Sequence, residues 1–150
     1  MFPTQHILLG AVFVAVLLIF FPSFGLFGAS IIFLTSFLID VDHYLYYVHK
    51  KKNWNLINAY NWFSERTKQI LSLPKEKRKV YSEVFFLFHG FEVLLVLLLL
   101  GFFISNFFFF ILIGFLFHLF LDIFYELSLG FRVQKISLIY NLYKVKRMSS

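Results

Sequence analysis

From Ile7 to Ile39 the chain runs through 33 consecutive residues without one Asp, Glu, Lys, Arg or His. At about 1.5 Å per residue, a single helix over that run would measure roughly 50 Å, against a bilayer hydrocarbon core of about 30 Å. One crossing is too few to absorb it. Pro22, Ser23, Gly25 and Gly28 cluster in its middle, a turn signal that predicts a first helix over about 5–21 and a second over about 26–42. A second apolar block, Val84 to Leu121, is broken near Gly101 and at Ser105 and Asn106, which predicts a third helix over about 81–103 and a fourth over about 107–127.

With 60% hydrophobic and only 15% charged residues, the chain falls outside the range of soluble enzymes and of disordered tails. The absence of Cys removes thiolate metal sites, Cys nucleophiles and disulfides together. The expected architecture is all-α: one integral membrane domain over 1–150, a bundle of about four transmembrane helices plus an interfacial amphipathic helix. The opening MFPTQH has no positive n-region, so helix 1 is expected to stay in the mature protein rather than act as a signal peptide.

All 14 Lys and Arg fall in two places, nine from Lys50 to Lys79 and five from Arg132 to Arg147. With four crossings both places share one side of the membrane, and the positive-inside rule makes that side the cytoplasm, together with both termini of a multi-pass protein of the cell membrane. Topology and attraction to anionic membrane lipids account for the formal net charge of +6, so nucleic acid is not an expected partner. Between the basic clusters, Trp54, Ile57, Tyr60 and Phe63 recur at helical spacing among Asn and charged residues. The segment at about 53–73 is therefore expected to lie along the headgroup layer, and 131–150 to form a basic tail.

Few ionisable groups interrupt the apolar pattern: His6, Asp40, Asp42, His43, His89, Glu92, His118, Asp122 and Glu126. A carboxylate in hydrocarbon costs on the order of 2.5–3.5 kcal/mol even on the lenient insertion scale, so each needs a partner or water. Their positions place them at the same end of all four helices. Asp40 and His43 stand at i,i+3, His89 and Glu92 at i,i+3, and His118 and Asp122 at i,i+4, so each pair shares a helical face. If helix 2 runs on through His43, Asp42 points roughly 160° away from Asp40; helical continuation is the expectation, with Asp42 bending back at the mouth. Gly10, Ser36, Gly90 and Gly114 accompany these positions, and small side chains permit the close helix approach that convergence requires. With almost no Lys or Arg in these helices, a divalent cation is the natural counter-charge. Glu126 and Glu83 stand nearer the helix mouths and are expected to be solvated.

The motifs T-x-H-x-x-x-G (Thr4 to Gly10), D-x-D-H (Asp40 to His43), F-H-G-x-E (Phe88 to Glu92) and G-x-x-x-H-x-x-x-D (Gly114 to Asp122) resemble, in order and spacing, those of a family of small membrane-bound metal-dependent hydrolases. That family includes a LexA-regulated inner-membrane protein. Ile39 stands where many of its members carry Pro. The resemblance implies a polar site at His6, Asp40, Asp42, His43, His89, His118 and Asp122.

The expected metal ligands are thus His6, Asp40, His43, His89, His118 and Asp122, holding a divalent ion with Zn²⁺ foremost, while Glu92 and Asp42 are the candidate catalytic groups. The expected function is hydrolysis at the cytoplasmic membrane face, on a lipid or phosphoester substrate. The alternative is a membrane protein that binds metal without catalysis or uses the pairs only for packing. A transporter would continue its polar residues to the far face, where only Ser, Thr35 and Asn106 occur. A di-iron oxygen-using enzyme would need denser His boxes than five His supply.

Overall fold

The computed structural model describes residues 3–78 and 87–131 together with 137 and 139, and among these the chain is helical without strands. Helix α1 (Pro3–Phe20) leads through a 3-10 turn at Pro22–Phe24 into α2 (Gly25–Leu38) and α3 (Val41–Lys51); α4 (Leu56–Leu71), α5 (Lys75–Arg78), α6 (Phe91–Phe103) and α7 (Phe107–Ser128) follow. Three helical stretches, Pro3–Phe20, Pro22–Lys51 and Phe107–Ser128, are long and apolar enough to cross a membrane, and Phe91–Phe103 is a shorter apolar helix. The chain is a multi-pass membrane protein. Gly25 takes φ +60° at the first turn, a conformation that side chains with a Cβ rarely adopt.

Helix α2 packs on both α1 and α7, α1 also meets α7 directly, and α6 packs on α7. The spacing of small residues explains this packing. A Cβ added at Gly10 on α1 would collide with Ser36 Oγ on α2, and one added at Gly114 on α7 would collide with Thr35 Oγ1 and fall 2.7 Å from the Ile32 carbonyl oxygen. Backbones approach this closely only where one partner has no side chain. The two charge-free turns meet at one end of the bundle, where Phe24 stands edge-on to Phe110 at 5.6 Å and Phe27 lies 6.4 Å from Phe107.

Two helix boundaries differ from the sequence expectation. The second helix ends at Leu38 rather than about 42. Across the break the bonds are of i to i−3 type: Asp40 N–H to Phe37 O, Asp42 N–H to Ile39 O and His43 N–H to Asp40 O. The third helix begins at Phe91, after an extended Gly90 (φ −96°, ψ 150°), so His89 sits in the turn ahead of it. The expected start near 81 lies outside the described residues, as does most of the 131–150 tail. With 13 residues α6 is about 20 Å long, too short to cross alone.

Helix α4 is amphipathic. Ala59 is buried against Tyr47 and Val48 of α3, with Tyr44, Trp62 and Phe63 around them, while Trp54, Leu56, Ile57 and Tyr60 are exposed. Asn55 caps its N-terminus by accepting from the Ile57 and Asn58 N–H groups. The Arg78 guanidinium donates to the carbonyls of Leu71, Leu73 and Leu129, tying the end of α4 and α5 to the end of α7.

Candidate metal centre

His118 projects from α7, one turn beyond Gly114 and one turn before Asp122. The close contact at Gly114 brings the end of α2 against it, and its Nδ1 donates to the Ser36 carbonyl at 2.8 Å. A carbonyl only accepts, so Nδ1 carries the proton and Nε2 presents a lone pair to the interior. His89 is fixed in the same way from the other side: its Nδ1 donates to Asp42 Oδ2 at 3.0 Å, and the same oxygen accepts the Leu87 and Phe88 N–H groups, each at 3.0 Å. Asp42 therefore folds the chain ahead of α6 and aims His89 Nε2 inward.

These two orientations turn Nε2 on Nε2 at 3.2 Å. Neutral imidazoles would face each other lone pair to lone pair, an arrangement that a shared proton or a cation must relieve. The surroundings are suited to a cation. Asp40 Oδ1 lies 3.5 Å from His89 Nε2 and 3.4 Å from His118 Nε2, and Asp122 Oδ2 lies 3.8 and 3.3 Å from the same atoms. A tetrahedral ion with ligands at 2.0–2.2 Å needs ligand-to-ligand edges of about 3.3–3.6 Å. The five edges of this cluster that involve a histidine, from 3.2 to 3.8 Å, bracket that value. Asp40, His89, His118 and Asp122 thus form a buried group able to hold a metal ion. Helices α1, α2, α6 and α7 contain no Lys or Arg, so within them only histidines face the carboxylates.

His43 occupies the more open edge. Its Nε2 lies 3.4 Å from Asp40 Oδ1 and its Nδ1 3.2 Å from Asp42 Oδ1, and its ring stacks on His89 with centroids 5.0 Å apart. The side chains of His43 and Asp40 remain 21% and 11% exposed, whereas those of His89, His118 and Asp122 are fully buried. Asp42, His43 and His89 form a second group of metal-capable spacing, but it competes for the His89 and Asp42 atoms already engaged with each other, so the first group is the stronger. Phe63 of α4 approaches the His43 ring to 5.9 Å, which brings α4 over this edge. His6 is buried on the opposite side, stacked on His118 at 3.9 Å with an interplanar angle of 15°.

The break after Leu38 replaces the expected continuous helix, while Asp42 does bend back at the mouth. The tight winding through residues 39–43 brings Asp40 and Asp42 to the two nitrogens of one imidazole instead of setting them 160° apart. Glu92 does not share a helical face with His89, because His89 precedes the helix. Its Oε1 accepts from Ser137 Oγ and from the Ile139 N–H at 3.3 Å. Asp42, the other expected catalytic group, is a positioning residue in this geometry. The Ser36 carbonyl and the Leu87 and Phe88 N–H groups were not foreseen from the sequence, since backbone groups leave no residue-type signal; the small residue at 36 was the only hint.

No family model matches the chain, and no curated protein and no solved structure matches it.

Proposed function

We propose that the chain is a membrane-embedded metal-dependent hydrolase whose centre is built from Asp40, His89, His118 and Asp122 and opens toward the cytoplasmic face. The observation that carries this reading is the pair of inward Nε2 atoms at 3.2 Å, each with its Nδ1 proton committed elsewhere, set beside two carboxylates at metal-ligand spacing. The resemblance of the four motifs to the membrane-bound hydrolase family supports the same reading. A divalent cation held there, Zn²⁺ by the tetrahedral spacing, would supply an acidified water as nucleophile near neutral pH once one of the four protein groups yields its position to that water. Ser36 and Asp42 hold the two imidazoles at fixed angles, as hydrogen-bonded partners of metal-ligating histidines do. The exposed edge at Asp40 and His43 is where a substrate reaches the centre, beneath α4.

Depth narrows the substrate. From Phe107 to Asp122 along α7 is about 22 Å, and from Phe20 back to His6 about 21 Å, so the centre lies roughly two thirds of the way across a hydrocarbon core of about 30 Å. Such a site meets the reactive bond of a lipid near the headgroup, and the basic segments around Lys50–Lys52 and Lys75–Arg78 favour an anionic one. A second reading, a metal held only to lock the helices, is favoured by the count of four protein ligands, which fills a tetrahedron in the manner of structural zinc sites.

The deciding experiment offers phospholipids and isoprenoid phosphates in detergent to the purified chain with Zn²⁺ or Mn²⁺ and monitors release of headgroup or phosphate. Metal-dependent turnover that His118→Ala abolishes supports the hydrolase. Stoichiometric metal without turnover favours the locking role, and a wild-type chain that binds no metal overturns both readings.

A further inference from the structure

The four-ligand centre uses only one oxygen of each bridging-capable carboxylate. The other two, Asp122 Oδ1 and Asp40 Oδ2, are turned to His6, whose Nε2 lies 3.2 Å from the first and 3.9 Å from the second. His6 is fully buried in the first turns of α1, and the stack on His118 fixes its ring plane. His6 Nδ1 and Asp40 Oδ2 make no hydrogen bond, and His6 Nε2 faces Asp122 Oδ1 at ion-pair distance without an aligned hydrogen bond. Leaving a buried polar group without a hydrogen bond costs about 1–3 kcal/mol, and here such groups converge on one spot.

We propose that His6 Nε2, Asp40 Oδ2 and Asp122 Oδ1 form a second cation position, making a binuclear centre in which Asp40 and Asp122 bridge the two ions. The inference rests on the reading that the first position holds a divalent ion, and it deepens that reading by naming the substrate class. Asp40, Asp42 and Asp122 contribute three formal negative charges against neutral histidines. One divalent ion leaves the cluster at a formal −1, which repels an anion, whereas two leave it at +1, which attracts one. Two ions about 3.5–4 Å apart form a clamp for the attacking and departing oxygens of a displacement at phosphorus. The binuclear arrangement therefore selects an anionic phosphoester over a neutral ester, with Asp40 and Asp122 fixing the separation and His6 closing the inner pole.

The test uses the full chain, produced with Mn²⁺ supplied and purified in detergent, with metal quantified per chain and the Mn²⁺ resonance recorded. Wild type is expected to hold about two ions per chain with a spectrum showing exchange coupling between them. His6→Ala is expected to keep about one ion with the spectrum of an isolated site. One ion in both proteins overturns the second position and leaves the first intact. Loss of both ions in His6→Ala overturns it too, since His6 would then belong to a single site. No metal in wild type overturns the underlying reading as well. Should His6→Ala fail to fold, the wild-type spectrum decides by itself: coupling supports the binuclear centre, and its absence at full loading overturns it.

Discussion

Replacing Gly114 by Ala tests whether the metal centre is held in shape by the approach of α2 to α7. The added Cβ falls 2.7 Å from the Ile32 carbonyl oxygen, a backbone atom, where ordinary contact begins at 3.4 Å. Helix α2 must therefore retreat by the difference, about 0.7 Å, at an overpacking cost of about 1–3 kcal/mol. Ser36 is one turn further along the same helix and retreats with it, stretching the 2.8 Å hydrogen bond to His118 Nδ1 to about 3.5 Å, the limit of such a bond. Asp40 follows. Metal–ligand distances tolerate about 0.2 Å, and loss of a hydrogen bond that orients a ligand weakens binding by about 10- to 100-fold. Gly28→Ala is the control on the same interface: the three atoms nearest its Cβ all belong to the Phe110 ring, from 2.8 Å, near the turn end remote from the cluster, and a ring can swing aside. Both variants are to be compared with wild type by helical circular dichroism and by metal content after equilibration against graded chelators. Gly114→Ala is expected to stay helical and lose affinity, with Gly28→Ala close to wild type. Wild-type affinity in Gly114→Ala, or equal loss in both, would refute the coupling of helix approach to ligand geometry.

Asp42→Asn weakens the charge-assisted bond to His89 Nδ1 and is expected to lower metal affinity by about 10- to 100-fold; unchanged affinity in a chelator competition would remove Asp42 from the positioning role. Metal at about 100 times its dissociation constant is expected to stabilise wild type by about 2.7 kcal/mol, read as a rise in thermal midpoint that His118→Ala lacks; a rise of equal size in both proteins would place the ion elsewhere. Cysteines introduced at Ser23 and Ser105 are expected to react with an impermeant reagent from the side opposite one at Lys77. Labelling of all three from one side would end the four-crossing topology.

The helical architecture was legible because hydrocarbon tolerates so few residue types that charge-free runs mark apolar helices and the Pro22 and Ser105 turns mark their ends. The cluster was legible for the complementary reason: His6, Asp40, His118 and Asp122 interrupt apolar helices where each carries an energetic penalty. Spacing along one helix failed where the backbone left the helix. The tight winding after Leu38 and the extended Gly90 are set by contacts between helices, above all Asp42 gathering Leu87, Phe88 and His89, and hydropathy does not encode them. The expected pairing of His89 with Glu92 failed on that account, and Glu92 instead meets Ser137 and Ile139.

Complete burial of His6, His118 and Asp122 has a kinetic consequence separate from affinity. An ion seated among them would be closed off on the α1 and α7 side, so its exchange would run through the edge at Asp40 and His43, whose side chains remain 11% and 21% exposed, and would depend on local opening there. Release into a chelator should then follow opening of that edge rather than parting of α1 from α7.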